Sequence, residues 1–206
     1  HRAIGLLENR VQYSGYFSFH GKSYKKPDGL NIQHVRPLEN IALLSYLNSR
    51  KVSTDIAKLH CNEVYYKVGS KQYFAIGFTN NDGGFELRNK YFKGSSSPKT
   101  ITTFDNQHSA CMVFEGFMDY LSYLTLKKQS EPKANVLVLN STAHLQKALD
   151  FINKHDTIHV FADNDEAGKQ VLKTIQSTNK TVIDQSVVYK NCNDLNEYLC
   201  SSNRID

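Results

Sequence analysis

Cysteine is scarce in this sequence, and the few present are badly placed for a metal. Cys61, Cys111, Cys192 and Cys200 lie too far apart for a paired zinc motif, and Cys111 falls inside a strand pattern. Reduced thiols are the expectation. No apolar run approaches the ~20 residues that a membrane helix needs, and no signal-peptide pattern opens the chain. A soluble, cytoplasmic protein with no membrane partner is therefore predicted. The glycines of a phosphate loop, Gly-x-x-x-x-Gly-Lys-Ser/Thr, and of a dinucleotide fingerprint, Gly-x-Gly-x-x-Gly, are also missing. Asp163-Asn164-Asp165-Glu166-Ala167-Gly168 superficially looks like a calcium loop, but Ala167 replaces an oxygen ligand and Thr174 stands where the bidentate Glu belongs. A phosphatase of the haloacid dehalogenase type would want Thr or Val at Ala167. The chain starts at His1 and not at Met, which reads as a piece of a longer protein or a cloning remnant.

What is present is enough for a core: 206 residues suit one large domain or two small ones. The net charge of +5 is unevenly spread. Residues 1–108 hold 15 Lys and Arg against 8 Asp and Glu, and residues 109–206 hold 10 against 12. A basic half joined to an acidic one suits a polyanion held beside a metal, although an ordinary solvated surface has the same composition.

Residues 1–37 are aromatic and polar without sustained periodicity and read as a linker or partly ordered segment, with at most one short hairpin. Ile41, Leu44 and Leu47 then fall at helical spacing, and Ser53 predicts the N-cap of a second short helix through His60. From Glu63 the period becomes two, with turns at Gly69-Ser70 and Asn80 to Gly84. In the returning strand Phe85 to Asn89, Glu86 and Arg88 share a face. Lys90, Lys93 and Lys99 follow around Gly94 to Pro98 as a flexible basic segment able to grip phosphates. After Ser109 strands and helices alternate: strands at 110–114, 136–139, 157–162 and 181–188, helices at 117–128, 143–154, 166–177 and 193–199. That order predicts a four-stranded parallel sheet covered on both faces. The expected division is 1–37, then a small α+β subdomain over 38–108, then an α/β domain over 109–206.

Two acidic motifs sit where apolar strands stop and helices begin. Val113-Phe114-Glu115-Gly116 ends one strand and Phe161-Ala162-Asp163-Asn164-Asp165 another. In a parallel sheet that edge is where ligands bind, so Glu115, Asp163 and Asp165 are expected in one cleft. Converging carboxylates repel unless a cation lies between them, and hard oxygen ligands suit Mg²⁺ or Mn²⁺. Asp-x-Asp alone is more often a helix start than a metal site; the combination in strand context is what gives it weight.

Glu115-Gly116-Phe117-Met118-Asp119 followed by Asp163-Asn164-Asp165-Glu166-Ala167-Gly168 resembles the signature motifs of the Toprim domain of bacterial primases, topoisomerases and some nucleases. Asn140 to Ala143 resembles the turn after its second strand, and Asn193 to Leu199 the segment that closes the domain in primases. Upstream, Tyr46 to Val52, Ala75 to Asn80 and Gly83 to Asn89 resemble the N-terminal half of a bacterial-type primase core. The likeness is closer still to primase-like proteins of Bacteroides-type mobile elements. These often begin with a zinc-ribbon domain, which has no counterpart here, so zinc is expected only in a domain absent from this chain.

The resemblance implies a Toprim fold preceded by the α+β subdomain, with Mg²⁺ or Mn²⁺ held by Asp163, Asp165 and Glu115 and by Asp194 as a further ligand. Glu115 would be the general base, and Asp119 either lies behind the ligands or simply favours its helix dipole. Arg88, Lys90, Lys93, Lys99 and Lys169 are the candidates for nucleic-acid or nucleotide contacts. The implied partners are single-stranded DNA, nucleoside triphosphates, and a helicase or mobilisation proteins. Three activities stay open: RNA primer synthesis, a DNA-binding accessory role in mobilisation or replication, and Toprim nuclease cleavage.

Overall fold

The alternating and helical apolar patterns sort into two five-stranded sheets with helices between them and on the outer face of the second. The computed structural model describes residues 29–178 and 180–202. Strands β1 (Asn31–Pro37), β2 (Cys61–Val68), β3 (Lys71–Thr79), β4 (Phe85–Arg88) and β5 (Lys93–Ser95) form one antiparallel sheet in sequence order. Helices α1 (Ile41–Ser49) and α2 (Thr54–His60) connect β1 to β2. Asn40 caps α1 by accepting from Ala42 N–H at 2.9 Å, and buried Glu63 accepts from Glu39 N–H at 2.7 Å, which pins the helix start to β2. Ser53 caps α2, as its position predicts.

The second sheet runs β10-β9-β7-β8-β6. Its members are β6 (Thr102–Phe104), β7 (Ala110–Phe114), β8 (Asn135–Val138), β9 (Thr157–Phe161) and β10 (Thr181–Asp184). The last four are parallel, and β6 closes one edge antiparallel to β8. Helices α3 (Phe117–Lys127), α4 (Leu145–Ile152), α5 (Glu166–Gln176) and α6 (Leu195–Ser201) complete the fold. Leu145, Ala148, Ile152, Val171 and Ile175 cover one face of this sheet against Cys111, Val113, Leu137, Ile158 and Val160. The other face shares a core with the first half: Leu43, Leu47, Ile76 and Phe78 pack with Phe114, Tyr120, Leu121, Leu124 and Leu195. The two sheets therefore close on one helical layer, and the cleft between them is fixed by apolar packing.

This is the α/β architecture expected, with four revisions. Asn31–Pro37, read as linker, is an edge strand paired with β2, its exposed polar face having hidden the alternation; residues 1–28 of that stretch lie outside the described residues. The sheet has five strands, because three residues of β6 are too few to show a period. The basic segment after Arg88 contains β5, so Lys93 is held on a ladder. The strand expected over 181–188 stops at Asp184, whose carboxylate accepts from both the N–H (2.8 Å) and the hydroxyl (2.6 Å) of Ser186 and turns the chain into a 3-10 turn.

Candidate catalytic and metal site

Because β7 and β9 are neighbours with Phe114 opposite Phe161, the residues just past both strands meet at one edge. Glu115 Oε1 accepts the backbone N–H of Asp163 at 2.9 Å. Asp165 caps α5, its Oδ1 accepting from Gly168 N–H at 2.9 Å. Gly168 is required for this closeness: a Cβ there would lie 2.1 Å from the Asp163 carbonyl oxygen and 2.6 Å from Glu115 Oε1. Asp194 caps α6 through Glu197 N–H at 2.6 Å. It is brought in by Asn164, which donates its backbone N–H to Asn193 O (2.7 Å) and its amide to Tyr189 O (3.0 Å) and Cys192 O (2.8 Å).

Glu115, Asp119, Asp163, Asp165 and Asp194 line one cleft of about 380 Å³, with Glu86, Arg88 and Lys93 from the first sheet as its other wall. A larger cavity, about 610 Å³, lies against Ala110, Met112, His159 and Phe161 and contains no carboxylate, so the acid chemistry belongs to the smaller one. Of the residues singled out from sequence, Arg88 and Lys93 reach the cleft wall. Lys90, Lys99 and Lys169 do not. Lys90 lies over the Tyr91 ring at 5.5 Å, and Lys169 makes an exposed 3.8 Å pair with Glu166. Arg88 donates Nε–H to the Tyr46 hydroxyl at 3.0 Å, which aims it along the wall.

Sequence reasoning missed two residues here. Arg50, just past α1, lines the cleft, and buried Asn196 holds it there by accepting from its Nε–H and donating to its carbonyl at 3.0 Å. Asn196 also donates its amide to Ser122 Oγ (2.8 Å) and its backbone N–H to Asp119 Oδ1 (3.3 Å). Neither carries a periodicity signal, since their roles depend on partners 146 residues apart. Asn140, from the turn after β8, also lines the cleft, in the left-handed region (φ 63°), and among the described residues its buried Oδ1 has no hydrogen-bond partner.

The electrostatics follow from crowding. Burial first, then Asp119, Glu115, Asp194 and Asp165, push Asp163 up to about 8. Burial and Asp194 raise Asp119 to about 7 against the opposing hydrogen bond from Asn196. Glu115 is raised by burial, partly offset by the Asp163 N–H. Glu86 is raised to about 7 by burial, partly countered by Lys99 and Lys93.

This donor set suits a hard cation. Glu115, Asp119, Asp165 and Asp194 each commit one oxygen to a backbone N–H, and the second oxygen is left to accept. Among the described residues no group of three or more His, Cys, Asp or Glu is placed closely enough to hold a metal ion by itself. An ion that keeps several waters and takes one or two carboxylates, as Mg²⁺ does, fits such a cleft; a four-coordinate zinc site does not. All four cysteines are free, and no helix among the described residues is long and apolar enough to cross a membrane.

Comparisons with known proteins bear on the fold that carries this site. Residues 112–199 match the Toprim-like family, and residues 32–97 match a family described as a domain of unknown function (DUF8464). No curated protein matches the chain. Among solved structures, the chain is similar to the primase fragment of the bacteriophage T7 primase-helicase protein, at 20% identity over 84% of this chain and 75% of that one, with a TM-score of 0.58. It is also similar to a chain from the T7 complex in which lagging-strand DNA polymerase interacts with two primase domains bound to an RNA/DNA hybrid and dTTP. That match has 17% identity, covers 73% of this chain and 82% of the other, and has a TM-score of 0.54. At such identities the likeness is one of fold. Residues 112–199, with the carboxylates that follow β7 and β9 and the α6 cap at their open edge, match the Toprim-like family, in a chain folded like a primase fragment.

Proposed function

We propose that this chain is the catalytic core of a primase-like nucleotidyltransferase that makes short RNA primers on single-stranded DNA, in the replication or mobilisation of a mobile element. The observation that carries the proposal is the meeting of Glu115, Asp163, Asp165 and Asp194 in one cleft whose opposite wall holds Arg88 and Lys93. Asp163 and Asp165, with Asp194 as a further ligand, hold Mg²⁺ or Mn²⁺. A bound divalent cation would neutralise charge developing on the triphosphate during in-line attack. Glu115 takes the proton from the 3′-hydroxyl as that oxygen bonds the α-phosphorus of the next ribonucleotide and pyrophosphate leaves. Arg88 and Lys93 face the carboxylates and hold phosphate oxygens, a role for which Arg50 is equally placed. A helicase is the partner proposed, by likeness to the T7 fragment, which comes from a primase-helicase protein.

The test is primer synthesis by this chain with ribonucleotides, single-stranded DNA and Mg²⁺ or Mn²⁺, using Asp163→Asn/Asp165→Asn as the blank. Labelled short RNA that disappears in the double variant supports the proposal. Metal-dependent loss of the DNA without nucleotides would point to a nuclease, and DNA binding with neither activity to an accessory protein.

A further inference from the structure

We propose a second nucleic-acid surface, outside the cleft: a row of rings, His34, Tyr65 and Phe74, that stacks the bases of a single strand. The three residues are directly opposite one another across β1, β2 and β3, so they share one face of the first sheet. His34 stacks on Tyr65 at 4.4 Å and 17°, and Tyr65 meets Phe74 at 5.9 Å. His34 and Phe74, at the ends of the row, are exposed. Two residues further along β3, Ile76 is fully buried in the shared core. Helix α1 starts beside Tyr65, where Asn40 Nδ2 donates to the tyrosine hydroxyl at 3.4 Å, and among the described residues nothing buries the two ends of the row.

The charges flanking the row choose the ligand. On the same face, about 7 Å along the strands, the next row reads Arg36, Glu63, Ile76, Arg88, Lys93. Arg36 lies 5.1 Å from the centre of the Tyr65 ring, and Arg88 and Lys93 line the acidic cleft. On the far side Lys67 stands opposite Gln72. The carboxylate between the cations, Glu63, is consumed: one oxygen accepts from Glu39 and Asn40 N–H and the other from the Tyr65 hydroxyl. Rings set between a row of cations and Lys67, with the carboxylate in that row already bonded, match bases and phosphates of an unpaired strand better than a peptide. Arg36 flanks the rings at one end of that row and Arg88 and Lys93 line the cleft at its other end, with buried Glu63 and Ile76 between them, so the rings lie on the cleft's side of the sheet, where a strand entering or leaving it would pass. The inference rests on the nucleotidyl-transfer reading for that direction only.

The experiment uses fluorescence anisotropy of the whole chain with Mg²⁺, comparing a labelled oligothymidylate with an abasic oligomer of equal length. Wild type should bind the thymidylate more tightly. His34→Ala/Phe74→Ala should weaken that binding by about 10–100-fold, the range for lost base stacking, while leaving the abasic oligomer unaffected. Tyr65→Phe keeps the ring and should bind as wild type does. Equal wild-type affinity for both oligomers, or a double variant that keeps the preference or weakens both equally, overturns the proposal and leaves the row as a peptide-docking or packing surface. The readout needs no synthesis. Lost preference in a chain that makes no primer would retain the row and remove the nucleotidyl-transfer reading; primer synthesis with an unaltered preference would do the reverse.

Discussion

Removing the charge of Asp163 should stabilise the metal-free protein, and by an amount that grows with pH. The carboxyl is raised from an ordinary 3.8 to about 8, first by burial and then by four neighbouring carboxylates. Between those values the folded state binds more protons than the unfolded chain, so stability falls as pH rises through that window. Four pH units at ~1.4 kcal/mol each set a ceiling near 5–6 kcal/mol. Asp163 is only half-buried and its neighbours share the titration, so screening and coupling reduce the expected gain of Asp163→Asn to about 1–3 kcal/mol. For a chain of this size that corresponds to a Tm rise of roughly 2–10 °C. Thermal melts followed by circular dichroism in EDTA should show the gain largest near pH 8.5 and small near pH 3, where aspartate is largely protonated in both states. Saturating Mn²⁺ should narrow or reverse it, since an ion bound only by the folded wild type adds stability to it alone. An Asn variant that melts below wild type at high pH in EDTA, or a gain that does not change with pH, would refute the electrostatic account of the cleft.

Further outcomes follow from the same geometry. Glu115→Gln keeps the side-chain shape and removes the base, so primer synthesis should drop by roughly 10²–10⁴-fold with little change in DNA affinity; near wild-type synthesis would make Glu115 structural. Gly168→Ala puts a methyl where the Asp163 carbonyl and Glu115 carboxylate already are, so denaturant titration should show a loss of about 1–3 kcal/mol along with synthesis, and a silent substitution would mean that the Glu115 contact is dispensable. Replacing Arg88 and Lys93 by Ala should flatten the salt dependence of single-strand binding by about 0.7 in log–log slope per lost phosphate contact; an unaltered slope places the phosphate track elsewhere.

How much of this was legible in the sequence depended on the range of each signal. Strands β7 and β9 are short apolar runs ending in acids, so both could be read locally, and parallel neighbours then had to bring Glu115 beside Asp163 and Asp165. Asn40 as the α1 cap, β1 and β6 were not read. The cap depends on which residue Glu63 fixes, and the two edge strands present either an exposed face or only three residues. Lys90, Lys93 and Lys99 have the same composition and proximity, yet only Lys93 lines the cleft. What separates it is the ladder pairing of Lys93 with Arg88, a tertiary fact that no charge count contains. Asn196 and Arg50 illustrate the limit, because a hydrogen bond across 146 residues leaves no mark on either local segment.

The five carboxylates that face Glu86, Arg88 and Lys93 across the cleft raise the question of what keeps them there without a cation. Four have a local answer: the backbone N–H groups of Asp163, Gly168, Glu197 and Asn196 each donate to one of them. Three of these donors lie at helix starts, where unpaired N–H groups favour negative charge. The acids therefore double as the caps and strand links that build the edge, and folding alone sets their positions. Asp163 is different. Among the described residues its carboxylate has no such donor, and it carries the largest shift in the cluster. Burial first, and then its four neighbours, thus weigh most on the one carboxyl that no backbone N–H holds, which makes Asp163 the group whose protonation, or whose ligation by a cation, gives the others most relief. A site built this way has most of its carboxylates placed before an ion arrives, and Asp163, raised furthest, with Asp119 behind it at about 7, is where a proton is given up when one does.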